Sequence, residues 1–350
     1  MNKKTLKLIV LLVMLFSMPA IKAQTLTAQS ESQDSTLNII AYFCKNDTME
    51  YHYVDFKAKI NETDTLIERH NKYDFQIIVR DSTSEGYEME FIPQSTSFYE
   101  GKEDSLMTHL LQSLYEKMGD MPVIFTVDEY GTLQHIKNWK EIKDFSRKVI
   151  KGLCDSLYTN IPELNEVLPR KRFEALMALQ FSNEKTYMSQ DDELQLLFSL
   201  FGNSFKIGKT EVDTQSDAGY PEHIELVASY EPSSEEYGFE NDYYISSVTT
   251  TTIPKEDVKT YANSFMGLLV SDSIAEHVTE AMQDVEYTDA NVTVAENYNY
   301  FFNGWPCEME NYKSIKIMNT HIVEIKNISW TSRRWAIFNG KDDDEEATGM

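Results

Sequence analysis

From Leu37 to Pro93 the apolar residues return at every second position: Val54, Phe56, Ala58 and Ile60, then Tyr73, Phe75, Ile77 and Val79, then Tyr87, Met89 and Phe91. Side chains alternate between faces only in extended chain, so this spacing commits the segment to half-buried antiparallel strands. Asp81 to Gly86 supplies the turn between the last two. The same period returns at Ile224, Leu226, Ala228 and Tyr230 and at Tyr244, Ser246, Val248 and Thr250. A final stretch, Val292, Val294, Tyr298, Tyr300 and Phe302, runs into Asn303-Gly304, whose spacing predicts a tight primed turn with Trp305 opening the return strand. Ile315, Ile317, Ile322 and Ile328 predict one more strand pair.

Between these sections the period changes to that of a helix. Leu106, Leu110 and Leu114, with Met107 and Leu111, predict a helix near Glu103 to Met118, capped by Asp104 or Ser105. Val123, Phe125 and Val127 form a strand, Asp128 to Gly131 a turn and Thr132 to Ile136 its return. A second helix is expected to open at Asn138, with Glu141 in capping-box spacing, and to carry Trp139, Ile142, Phe145, Val149 and Leu153. Further helical material reaches Phe201, punctuated by Pro162 and Pro169. Pro254 starts another helix with Val258, Tyr261, Ala262, Phe265 and Leu269 on one face, and Ser273 with Glu276 caps a shorter one. These patterns predict an α+β fold with an extensive antiparallel sheet, covering amphipathic helices and a helical middle region.

Met1 to Ala23 carries Lys3, Lys4 and Lys7, then an apolar run from Leu8 to Phe16, then Ile21-Lys22-Ala23. That is the build of a secretory leader, because the run is about half the length needed to cross roughly 30 Å of hydrocarbon. The expected organisation is a leader over 1–23, a flexible polar stretch over 24–36, one large domain over 37–338, and an acidic tail over 339–350. The domain is read either as one body or as two packed halves meeting near 201–220. No later stretch is apolar for eighteen residues, so no membrane anchor is expected after the leader is removed. The product is expected in the periplasm, on the outer surface or released. Its 57 acidic against 32 basic side chains repel phosphate backbones, which excludes nucleic acid as the natural partner.

Chemical motifs are sparse. Gly202 to Thr210 has five residues between its glycines where a phosphate loop has four, and it lies between helix-like and strand-like stretches in the wrong order. The seven histidines show no pair at helical spacing for zinc, and no GxSxG elbow is present. His277 and Glu280 lie three apart on a helix, which is more often a solvated face than a ligand pair. Neither a cofactor nor a metal is implied, and no catalytic residue is singled out. The densest aromatic segment offers Tyr298, Tyr300, Phe302 and Trp305 as a candidate ligand surface, with ordinary core packing as the alternative. Cys44 and Cys307 are the expected disulfide, with Cys154 a small buried hydrophobe, against the alternative of three thiols.

One triplet, Asp followed by Ser or Thr and then an aliphatic residue, Met or Thr, recurs around Ser35, Thr48, Thr65, Ser82, Ser105, Ser156 and Ser273. It resembles the acceptor sequence of a general O-glycosylation system for exported proteins of some Gram-negative bacteria; turn and cap chemistry is the competing explanation. The stretch IFTVDEYGTLQHIKNWKEI from Ile124 and FNGWP from Phe302 resemble segments of uncharacterised exported proteins of Gram-negative bacteria. The element order is similar to that of the LolA-like lipoprotein carriers. That resemblance implies a curved half-barrel sheet with helices across its concave face. The reading that follows is a noncatalytic binding or carrier protein for an apolar small molecule or lipid. A secreted glycan hydrolase and a structural or host-facing interaction protein are the alternatives.

Overall fold

The computed structural model describes residues 36–61, 64–99, 121–179, 181–231, 242–261 and 287–336. The expected leader, all but the last residue of the polar stretch, the helices near Glu103 and from Ser273, the acidic tail, and the candidates Ser35, Ser105 and Ser273 lie outside them.

The chain order is β1 (Thr36–Asn38), β2 (Thr48–Asn61), β3 (Asp64–Thr83), β4 (Gly86–Tyr99), β5 (Val123–Asp128) and β6 (Leu133–Ile136). Helices α1 (Trp139–Asn160), α2 (Leu164–Val167), α3 (Arg170–Leu179), α4 (Glu184–Gln190) and α5 (Asp192–Phe198) follow. Then come β7 (Ser204–Lys206), β8 (Gly208–Gln215), β9 (Pro221–Glu231), β10 (Asp242–Ile253), β11 (Ala290–Tyr300), β12 (Pro306–Ile317) and β13 (Thr320–Arg334). The fold is α+β. Eleven strands make one curved antiparallel sheet that does not close, ordered β6-β5-β4-β3-β2-β13-β12-β11-β10-β9-β8. Two meanders, β2 to β6 and β8 to β13, meet at the β2–β13 seam, where Tyr53 faces Ile328 and Lys57 faces Glu324.

One face of the sheet looks inward. At the end nearer the β11–β12 turn it carries Tyr51, Tyr53, Phe75, Ile77, Val79, Met89, Phe125, Tyr298, Tyr300 and Met309, all buried. Two elements cover this end: the strap Leu37, Ile39, Ala41 and Phe43, and Leu194, Leu197 and Phe198 of α5. The strap alternates because it is extended, and its backbone is held by Ile39 N–H to Asn203 O (3.0 Å), Ala41 N–H to Tyr130 O (2.9 Å) and Tyr42 N–H to Asn303 O (3.1 Å). At the opposite end a second apolar field, Ile253, Ala290, Val292, Val294 and Ile315, lies beneath Val258 of the helix opening after Pro254.

Several local expectations change. In β2 the buried apolar residues are Met49, Tyr51, Tyr53 and Ala58, while Val54 and Phe56 lie half-buried on the face opposite Tyr51 and Tyr53. In β10 the inward residues are Tyr243, Ile245, Ser247, Thr249, Thr251 and Ile253, so Tyr244, Ser246, Val248 and Thr250 face outward. The Asn303-Gly304 primed turn does not form. Residues 301–305 make a longer connection, with Gly304 N–H donating to Phe301 O (2.8 Å) and Gly304 (φ +83°) in the left-handed region. A Cβ at Gly304 would stand 2.3 Å from Ile40 O, so the strap demands glycine there. Asn138 precedes α1 without capping it; its amide instead accepts from Ile124 N–H (3.0 Å) and donates to Pro122 O (2.8 Å).

Asp47 ties the covered end together. Its buried carboxylate accepts from Cys44 N–H (2.9 Å), Trp305 Nε1–H (3.3 Å) and Ala336 N–H (2.7 Å), joining the strap, the β11–β12 connection and the end of β13. Asp47→Asn replaces one acceptor oxygen by a donor that faces N–H groups, and should cost roughly 1–3 kcal/mol. A lower urea midpoint at unchanged m-value is the expected result.

Candidate functional site

Between its two apolar fields the inward face carries charge. Antiparallel register places Arg69, Lys57, Glu324 and Lys313 in one cross-strand row on β3, β2, β13 and β12. The adjoining row holds Asn71, Asp55, Lys326, Asn311, Glu296 and Ser247 and reaches β10. Directly opposed side chains on one face are neighbours, so the rows can neutralise themselves across strands. Lys57 Nζ lies 2.8 Å from Glu324 Oε1, and Arg69 grips Asp55 through Nε (2.7 Å) and Nη2 (2.9 Å). Such pairing is required, because an unpaired charge in this setting costs several kcal/mol.

The N-terminus of α5 closes over the band. Lys326 Nζ reaches Asp192 Oδ2 at 2.6 Å, and the Tyr73 hydroxyl donates to Glu193 Oε1. Asp191 caps the helix by accepting from Leu194 N–H (3.0 Å). Burial, then the neighbouring Asp191 and Asp192, pushes Glu193 up to about 8, so it stays protonated at neutral pH. Burial also raises Asp55, against the pull of Arg69, and raises Glu296. Burial would likewise lift Glu324, but Lys57 and Lys313 hold it below its ordinary value. It would depress Lys326, which Asp192 holds above its own. Lys313 is lowered, first by burial and against the pull of Glu324, with Lys326 and Lys57 acting in the same direction as burial.

The sequence-predicted residues fall elsewhere. Tyr298, Tyr300 and Trp305 are buried in the covered end and Phe302 is half-buried beside it. Tyr300 stacks on Tyr243 (5.1 Å between centroids), Trp305 lies 4.2 Å from Phe43, and Phe302 meets Trp335 edge-on at 6.1 Å. Protein occupies both sides of this cluster, the core alternative left open by the sequence. Cys44 and Cys307 are not bridged; both are free thiols, as is the buried Cys154. Their surroundings differ: Cys44 sits beside Asp47, whereas Cys307 lies beside Trp330, Arg333 and Asp242. Burial raises the Cys307 thiol to about 12 and the Cys154 thiol to about 11. Of the modification candidates, Thr65 is exposed, Thr48 and Ser156 are half-buried, and Ser82 donates to Phe43 O (3.3 Å). Among the described residues no three His, Cys, Asp or Glu side chains are grouped to hold a metal, and no helix is long and apolar enough to cross a membrane.

Apolar periodicity alone does not reveal the charged band. The signal was a charge at an inward step of an otherwise apolar alternation, as in Tyr51, Tyr53, Asp55, Lys57 or Glu324, Lys326, Ile328.

No family model matches the chain, and no curated protein matches it. Among solved structures, a lipovitellin structure concerned with lipid–protein interactions aligns with a TM-score of 0.38 and 10% identity, over 87% of this chain and 26% of the other. The chain thus spans about a quarter of lipovitellin's length. An outer membrane channel from Pseudomonas putida F1 aligns with a TM-score of 0.12 and 5% identity, over 87% of this chain and all of the other.

The protonated Glu193 makes the band pH-sensitive. Its raised value means the native state holds a proton that the unfolded chain releases above about 4.5, so stability falls as pH rises from there through about 8. Glu193→Gln keeps an acceptor for the Tyr73 hydroxyl but cannot ionise. Its melting temperature should fall less than that of the parent between pH 5 and pH 8; equal falls in calorimetry would place the proton elsewhere.

Proposed function

We propose that this chain is an exported, noncatalytic binding or carrier protein that holds an apolar or amphipathic ligand between its sheet and its helices, with 37–338 acting as one unit. The observation that supports it is the composition of the inward face. A buried apolar field of Ile253, Ala290, Val292, Val294 and Ile315 adjoins a band of buried charge on the same strands, so the inward face of one sheet is amphipathic. Clefts that combine a broad apolar lining with a few converging polar groups are the usual form of a small-molecule site. The proposed kinship with LolA-like carriers, resting on element order and two short segments, points the same way.

Glycan hydrolysis is less well supported. It needs two carboxyls facing each other across the scissile bond. Asp191 and Glu193 share one helical turn, and Asp191 is engaged in capping Leu194. We also propose glycosylation at the exposed Thr65, in the hairpin between β2 and β3.

Protein purified from its native host and extracted with organic solvent should release a lipid-class molecule by mass spectrometry. The stripped protein should take up a fluorescent apolar probe and yield it to that extract. Extracts that stay empty, together with no probe uptake, would sink the carrier reading. Intact mass of the same preparation, equal to the bare polypeptide, would refute the glycan.

A further inference from the structure

The two edges of the sheet are finished differently. β6 is four residues long, its register with β5 is broken between Thr126 and Val127, and its Ile136 N–H donates to Glu184 Oε1 of α4 (2.7 Å). Short strands, register breaks and covering groups are common ways of keeping an edge from pairing. β8 uses none of them. It runs eight residues in unbroken register with β9, from Gly208 opposite Ala228 to Gln215 opposite Pro221, and contains no proline. Among the described residues no other strand pairs with it, and its outer N–H and C=O groups make no backbone hydrogen bond to another element.

What guards this edge is charge, and the charge pattern is complementary to itself. Lys209, Glu211 and Asp213 are exposed on the outward face of β8, while Thr210, Val212 and Thr214 lie half-buried on the inward one. A two-fold axis through Glu211, perpendicular to the sheet, sets a second β8 antiparallel to the first with Lys209 opposite Asp213, Thr210 opposite Val212 and Gly208 opposite Thr214. Symmetry makes each of these pairs occur twice. Lys209 Nζ already meets Glu211 Oε1 (2.7 Å) and Glu225 Oε2 (2.8 Å), which leaves one of its three N–H groups to give. Asp213 accepts from His223 Nδ1 through Oδ1 (2.8 Å), and with its side chain 90% exposed it keeps Oδ2 for a partner. Glu211 meets its own copy on the axis, a like-charge contact that costs something, but each of these carboxylates is held by the lysine of its own strand. Moving the axis to Val212 would set Glu211 against Asp213, and moving it to Thr210 would leave Asp213 and Thr214 beyond the partner strand.

We propose that β8 is an assembly edge whose partner is the β8 of a second copy of this chain, paired antiparallel about Glu211. Main-chain hydrogen bonds supply the attraction common to strand addition, and the two Lys209–Asp213 contacts select the partner and its register. An edge lysine ordinarily deters pairing; here it deters every partner that does not bring an acid to its position. The dimer joins two eleven-stranded sheets into one continuous sheet with both inward faces on the same side. This proposal is independent of the carrier reading.

Sedimentation velocity of the purified protein over a concentration series should show a reversible monomer–dimer equilibrium; a monomer at every concentration would overturn the proposal. Asp213→Lys and Lys209→Asp each set like charges opposite one another twice, and each should weaken self-association about tenfold or more. Mixed in equal amounts, the two variants should form a heterodimer, because one chain then offers both lysines to the other's two aspartates. Mere damage to β8 would not be repaired by mixing. A dimer indifferent to either reversal, or variants that melt like the parent yet stay monomeric when mixed, would count decisively against this edge. Glu211→Cys gives a second readout that needs neither reversal to fold. Opposed Cα atoms in an antiparallel ladder lie about 4.5–5.5 Å apart, within the span of a disulfide. Mild oxidation should therefore link two copies of Glu211→Cys, and should link neither Lys209→Cys nor the parent with its own three thiols. No link at position 211, or equal linking at 209, would overturn the register and the proposal with it.

Discussion

A charge that points into a protein has to meet its counter-charge, and here that requirement falls on the seam between the two meanders. β2 comes from the N-terminal meander and β13 from the C-terminal one, and their inward faces put Lys57 opposite Glu324 and Asp55 opposite Lys326. A slip of one residue would turn these groups to the other face and strand their partners, so the pairs restrict register as strongly as the apolar residues do. Tyr53 against Ile328 fixes the same register through packing. Charge and hydrophobic burial thus specify one alignment at the joint on which the whole sheet depends.

Helix α5 works on both parts of that face. Its later residues, Leu194, Leu197 and Phe198, enter the apolar core, while its first turn brings Asp192 and Glu193 over the band. Acidic side chains suit a helix start because the free N–H groups there carry partial positive charge. Crowding three of them beside buried tyrosines also raises the cost of ionising all three. Asp192 pairs with Lys326, and Glu193 keeps its proton and accepts from the Tyr73 hydroxyl. Of the three, Asp192 is the one in salt-bridge contact with a lysine of the band among the described residues.

Much of the sheet was legible because apolar and polar residues alternate cleanly where one face is dry. Phe75, Ile77 and Val79, or Phe125 and Val127, are inward as their period requires. β10 misled because threonine and serine occupy both of its faces, leaving Tyr244 and Val248 to suggest one face while Tyr243, Ile245 and Ile253 take the other. β2 misled for the opposite reason: both faces contain apolar residues, and the inward one ends in Asp55 and Lys57. The turn at Asn303-Gly304 and the Asn138 cap were local motifs redirected by distant contacts, the strap at Ile40 and the backbone at Pro122 and Ile124. The candidate site was the least legible part. Whether a lysine on a strand faces water or a carboxylate depends on the neighbouring strand, which at the seam is more than 200 residues away.

The aromatic hairpin, which the sequence offers as a ligand surface, is packed into the core at the turn end of the sheet. Phe43, Phe201, Tyr243, Tyr300 and Trp305 fill the inward face at the turn end with one another, and the buried Asp47 carboxylate locks the strap over them by accepting from three N–H groups. Opening that end would break those hydrogen bonds and expose several aromatic side chains, each worth roughly 1.5–3 kcal/mol of burial. The far field is covered differently. Val258 and Tyr220 are only partly buried against it, and the helix that carries Val258 begins at a proline whose own nitrogen has no hydrogen bond to give. The charged band thus separates two buried apolar regions on the inward face of the sheet.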